Sequence, residues 1–158
     1  MLPVKKILVP TDFSASSDQA IDYAAMIAKA FKANIILLHI AEAIPYDASD
    51  SLIVVEGWPT LHKIAQARLN EVRKKLVAKG LAVKTHMLLG SPYREIVGKA
   101  KQEKADMIVM GTHGRRGVDH FLLGSVAEKV VRLAGCPVVT VRLTSGVKKM
   151  SGPKRAKK

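Results

Sequence analysis

Gly111-Thr112-His113-Gly114-Arg115-Arg116-Gly117 follows the apolar run Met107-Ile108-Val109-Met110, and Gly124-Ser125 then opens a helical pattern. Glycine lets main-chain N–H groups approach an anion with no side chain in the way. Successive N–H groups form a concave nest, and a following helix N-terminus adds partial positive charge. The segment is therefore a candidate phosphate cradle. His113, Arg115 and Arg116 are the side chains that could add charge to it, although a basic loop tip is more often simply solvated. Ser125-Val126-Ala127-Glu128 also has the form of a capping box, which would account for Ser125 without any ligand. Asp12 is the acidic counterpart at the end of the first apolar run, either a ligand contact or an Asx turn before a helix. No G-x-x-x-x-G-K-[ST] loop is present, nor a G-x-G-x-x-G after the first strand, so P-loop hydrolysis and dinucleotide chemistry are disfavoured. No His, Cys and Asp grouping has metal-ligand spacing.

These residues need a scaffold, and the rest of the chain describes one. Five short apolar runs read as strands: 5–10, 34–40, 82–88, 107–110 and 137–142. Runs that are apolar on both sides point to a parallel sheet covered on both faces. Helical stripes fill the gaps. Ala20, Ala24, Ile27 and Phe31 share one stripe, with Ser14 as N-cap. Leu61, Ala65, Leu69, Val72 and Leu76 form a second, stopped at Gly80. Ser91-Pro92 opens a third helix with Ile96, Val97 and Ala100 facing inward, and Ala127, Val130, Val131 and Ala134 mark a fourth that stops at Gly135. Alternating strands and helices give right-handed crossovers and a doubly wound α/β fold. Residues 41–59 fit neither pattern and read as a long connection, either a binding loop or a surface excursion with a short strand at 52–55 or a helical turn.

At 158 residues the chain is expected to form one domain with a real core, and 48% hydrophobic residues argue against disorder. No run approaches the roughly 18 apolar residues of a membrane span. The charged start, Lys5-Lys6, precedes only four apolar or proline residues, so no secretory signal is expected. The single cysteine, Cys136, is read as a small filler and fits a reducing cytoplasm. The net charge is +13, of which residues 146–158 hold six cations and no acid; without them residues 1–145 keep +7. The chain divides into a domain over 1–145 and a basic tail over 146–158, expected to be disordered. The tail is either a solubilising segment or a polyanion-binding one, with nucleic acid as a partner.

In combination the motifs are more specific than they are singly. Gly111-x2-Gly114-x9-Gly124-Ser125 resembles the glycine pattern of the nucleotide-binding universal stress proteins. Val9-Pro10-Thr11-Asp12-Phe13-Ser14, Leu38-His39-Ile40 and Gly135-Cys136-Pro137-Val138-Val139 resemble that family's first, second and last strand ends. The resemblance implies a sheet in the order 3-2-1-4-5 and a site for ATP, or ADP or AMP, at the switch point. It implies that Pro10, Thr11 and Asp12 meet the ribose and adenine side. Ile40 would offer backbone groups to adenine, and Met110 and Gly111 would border the ribose. Gly114, Gly124, Ser125 and Val126 would contact the phosphates, with Mg²⁺ or Mn²⁺ riding on phosphate and water. It further implies a homodimer through strand 137–142, whose open edge needs covering. The function expected is a nucleotide-dependent switch in stress response, with at most slow hydrolysis. The competing expectation is an adaptor or polyanion-binding protein that works through the basic tail.

Overall fold

A computed structural model describes residues 3–42, 51–113 and 123–143, with backbone alone over 51–58. The basic tail, Gly114, Arg115 and Arg116 lie outside the described residues. Five strands alternate with four helices: β1 (Lys6–Pro10), α1 (Ala15–Phe31), β2 (Asn34–Glu42), α2 (Ser51–Ala78), β3 (Val83–Gly90), α3 (Pro92–Glu103), β4 (Met107–Gly111), α4 (Ser125–Leu133) and β5 (Val138–Val141). The sheet is parallel throughout and ordered β3-β2-β1-β4-β5. Strand order therefore reverses between β1 and β4, as the sequence led us to expect. Among the described residues no helix is long and apolar enough to cross a membrane.

The period-2 pleat explains why the strands read as unbroken apolar runs. Ile7, Val9, Ile35, Leu37 and Val109 face α1 and α2 in one core, which also holds Ala20, Ala24, Ala28, Leu69 and Leu76. Leu8, Ile36, Leu38, Ile108 and Met110 face the opposite way, onto Ile96, Ala100, Ala127 and Val130 of α3 and α4. β1, β2 and β4 thus bury both sides, whereas β3 and β5, at the edges of the sheet, are only partly buried.

Helix ends follow their sequence signals in part. Ser14 caps α1 by accepting from Ser17 N–H at 3.3 Å. Gly80, just past α2, takes φ +81, a left-handed value that suits glycine. Lys32 and Lys104 hold the same kind of turn after α1 and α3, at φ 54 and 53, although each carries a Cβ. A left-handed lysine costs on the order of 1–2 kcal/mol relative to the right-handed conformation.

Several expectations need correction. Residues 51–59 are helical, not part of a long connection: α2 begins at Ser51 and runs through Gly57 and Pro59, so only 43–50 separates it from β2. The β-branched pair Val54-Val55 and the breakers Gly57 and Pro59 hid a helix whose downstream stripe packs on the sheet. Phe31, Leu61 and Val131 are not core residues but 51%, 61% and 48% exposed, because their helices outrun the sheet or turn those positions outward. Pro137 precedes β5 instead of opening it, and its carbonyl accepts from Ile108 N–H.

Candidate functional site

The carboxyl end of β1 is a tightly bonded turn. Thr11 donates its N–H to the Leu38 carbonyl at 2.8 Å, and its own carbonyl lies 2.8 Å from His39 Nδ1. Its hydroxyl lies 3.1 Å from Ser17 Oγ and accepts from Phe13 N–H at 3.1 Å. With the Thr11 carbonyl as acceptor, His39 Nδ1 is the donor. Asp12 accepts from Ser14 N–H at 3.0 Å, so the Asx turn is real. It engages Oδ1, and Asp12 as a residue is half-buried. Phe13 takes a left-handed φ of 62, rare for an aromatic residue. Its ring is held between His39, 4.5 Å between centroids, and the Arg68 guanidinium of α2, 4.8 Å from the centroid. A strained residue packed on both sides between Asp12 and the α1 cap is the pattern of a rigidly set turn.

The carboxyl end of β4 abuts this turn. A Cβ on Gly111 would strike the Ser16 hydroxyl and come within 2.9 Å and 3.0 Å of the Ser16 carbonyl carbon and oxygen. Gly111 is therefore glycine because the first turn of α1 presses on it. This contact brings Asp12 and the N-terminus of α1 beside β4, at the reversal of strand order where ligands of open α/β sheets bind. Thr112 is buried, and its hydroxyl lies 2.9 Å from His113 Nδ1. The chain re-enters the described residues at Leu123, and Gly124 donates its N–H to the Thr112 carbonyl at 2.7 Å. That bond joins the start of α4 to the end of β4.

The same bond corrects the capping-box expectation. It holds Gly124 extended, at φ −69 and ψ 157, so Gly124 is the N-cap and exposed Ser125 is the first helical residue. Glu128 does not reach back to the cap; its carboxylate lies 3.8 Å from Arg132 instead. Among the described residues no side chain caps α4. The N–H groups of Ser125, Val126 and Ala127 lack intrahelical acceptors, as in any first turn, and point out of the helix end. Such an end suits an anion.

Of the residues expected at the site, Pro10, Thr11, Asp12, Met110, Gly111, His113, Gly124, Ser125 and Val126 gather at the carboxyl ends of β1 and β4. Ile40 stands on adjacent β2, two residues beyond the Pro10–Leu38 pair. Met110 is 5% exposed and packs in the α3–α4 core. Sequence reasoning missed Phe13, Ser16, Thr112 and Arg68, whose roles come from contacts between distant segments. Among the described residues no group of three His, Cys, Asp or Glu is placed to hold a metal ion.

The parallel sheet, with its order reversing between β1 and β4, defines a doubly wound α/β protein, a class whose usual ligand position is beyond the strand ends at that switch point. The model of the universal stress protein family matches residues 3–142, and this chain belongs to that family. Universal stress protein MJ0531 of Methanocaldococcus jannaschii is 39% identical over 143 residues, which covers 87% of this chain and 82% of that protein. The solved structure of MJ0577, another universal stress protein of M. jannaschii, superposes with a TM-score of 0.76 at 32% identity over 92% of this chain and all of that one. A universal stress protein solved in complex with cAMP gives a TM-score of 0.65 at 27% identity, over 89% of this chain and 98% of that chain.

Proposed function

We propose that this protein binds an adenine nucleotide, ATP in its working state, at the carboxyl ends of β1, β2 and β4, and acts as a nucleotide-dependent switch. The observation that carries the reading is the Gly124 N–H to Thr112 carbonyl bond, which sets the uncapped N-terminus of α4 at the end of β4. The relative solved with cAMP supports an adenine ligand for this fold. In this reading the Ser125 and Val126 amides, with Gly114, meet the phosphates, and His113, Arg115 and Arg116 add charge. Asp12 accepts from the sugar, Pro10, Thr11, Met110 and Gly111 border the ribose, and backbone groups of Ile40 meet the base. Mg²⁺ or Mn²⁺ would be held by phosphate oxygens and water, consistent with a hard cation's preference for oxygen. No lysine of P-loop type stands at the site and no side chain is assigned to orient water, so hydrolysis is slow at most.

The test is calorimetric titration with Mg-ATP. Asp12→Asn keeps an oxygen for the Asx turn and removes the charge, so it isolates the ligand contact from the fold. It should weaken binding about tenfold, the scale of a hydrogen bond to a charged acceptor. Equal affinity in Asp12→Asn and wild type would remove Asp12 from the site.

We further propose that two copies pair through β5. The Pro137 and Val141 carbonyls accept from Ile108 and Thr112 of β4 at 2.9 and 3.0 Å. Alternation therefore turns the amides of residues 138, 140 and 142 to the open edge. An antiparallel twofold pairing covers that edge with its own copy.

A further inference from the structure

Part of the excess positive charge of residues 1–145 lies at one end of the sheet. Helices in a parallel α/β fold run back toward the amino ends of the strands, so the last turns of α1, α2 and α3 gather there with the starts of β1 and β3. That end is opposite the nucleotide site. Lys5, Lys29, Lys32, Lys101 and Lys104 are exposed on it, and none has an ion-pair partner among the described residues. The acids nearby are engaged: Glu103 lies 2.8 Å from Lys84 Nζ and 2.9 Å from His86 Nε2, and Asp106 accepts from the N–H groups of Lys5 and Lys6 at 2.8 and 2.9 Å. Two adjoining depressions, about 380 and 300 Å³, open between the strand starts and helix ends and share Asn34 and Ala82. Lys6, Lys84 and Glu103 line one, with Lys6 Nζ donating to the Glu103 carbonyl and Lys84 paired with its carboxylate, and Lys29 and Lys32 line the other.

Two features at this end are not needed to pack the core. Lys32 and Lys104 sit in left-handed turns that glycine would adopt without strain. Phe31, beside Lys32, leaves its aromatic ring 51% exposed. A depression carrying Lys29 and Lys32, with the exposed Phe31 next to Lys32 in the chain, matches the chemistry of single-stranded nucleic acid, whose phosphates need cations and whose bases stack on aromatic faces. An anionic membrane fits less well, because interfacial docking uses a broad apolar helix face.

We propose that the amino end of the sheet is a binding surface for single-stranded nucleic acid, without sequence preference, with Lys29, Lys32 and Lys104 on the phosphates and Phe31 stacking on a base. The surface is independent of the nucleotide site and of the basic tail.

The test is fluorescence anisotropy of a labelled oligothymidylate of about twenty nucleotides with the full chain, at several salt concentrations. Binding should weaken steeply with salt. The double variant Lys32→Gly/Lys104→Gly should lose about tenfold in affinity, and the slope of log K against log salt should become shallower by about 1.4. Its melting temperature should stay the same or rise, since glycine relieves both turns. Phe31→Ala should lose at least about fivefold. A full chain with the six tail cations changed to Gln should retain binding. The proposal is overturned if wild type does not bind the oligonucleotide, if both the Lys32/Lys104 and Phe31 variants bind as wild type does, or if the tail variant loses binding. Capture by anionic vesicles but not by the oligonucleotide would equally overturn it.

Discussion

Gly111→Ala tests whether the first glycine of the loop serves packing. The added methyl would meet the Ser16 hydroxyl, with the Ser16 carbonyl carbon at 2.9 Å and its oxygen at 3.0 Å. The carbonyl belongs to the first turn of α1, whose Ser14 cap and Thr11–Ser17 contact pin it in place, so it cannot yield cheaply. Overpacking of this kind costs about 1–3 kcal/mol. At roughly 2–4 °C per kcal/mol for a chain of this size, the melting temperature should fall by about 2–12 °C. Ser16→Ala removes the hydroxyl, a buried oxygen without a hydrogen-bond partner among the described residues, and alone should be neutral or stabilising. Combined with Gly111→Ala it should recover part of the loss, since touching residues couple. The assay is thermal unfolding of the four proteins followed by circular dichroism. A Gly111→Ala protein that melts within a degree of wild type, or a double variant no better than Gly111→Ala, would refute the packing argument.

Gly124→Ala puts a methyl 2.9 Å from the Thr112 carbonyl, the acceptor of the Gly124 N–H. It should displace the start of α4 and weaken Mg-ATP by calorimetry at least about tenfold, whereas an unchanged affinity would uncouple that bond from the site. Thr140→Pro removes an amide from the open edge without touching the β4 ladder. Analytical ultracentrifugation should show a dimer for wild type and a monomer for the variant, and a wild-type monomer at roughly tens of micromolar would defeat the pairing. Burial, more than Lys99, holds the His86 pKa below its usual 6.5, while Glu103 opposes the shift. The unfolded chain therefore takes up a proton first, so the stability tied to neutral His86 is present above pH 6.5 and is lost as pH falls through that value toward the folded pKa. Titration by NMR should place His86 below 6.5 in wild type and lower still in Glu103→Gln; a higher value in the variant would refute the assignment.

The sheet was legible because the three central strands are buried on both faces, which turns β1, β2 and β4 into unbroken apolar runs. Strand order and the β1–β4 switch point followed from the family resemblance carried by Asp12 and the glycine spacing. What was hidden depends on contacts across the fold. Ser125 looked like a cap, but the Thr112 carbonyl draws in the Gly124 amide and shifts the helix start by one residue. Phe31 continues the α1 stripe by spacing, yet it falls past the last turn that faces the sheet. Breakers and β-branched residues concealed the first turns of α2. The Ser16–Gly111 contact and the Arg68–Phe13–His39 stack have no signature in local sequence at all.

Native mass spectrometry of the freshly purified full-length protein bears most directly on nucleotide binding. The account predicts a species heavier than the chain by the mass of ATP, ADP or AMP, and a shift to the ATP-bound mass after incubation with Mg-ATP. A bare chain that acquires no nucleotide mass on incubation would contradict it.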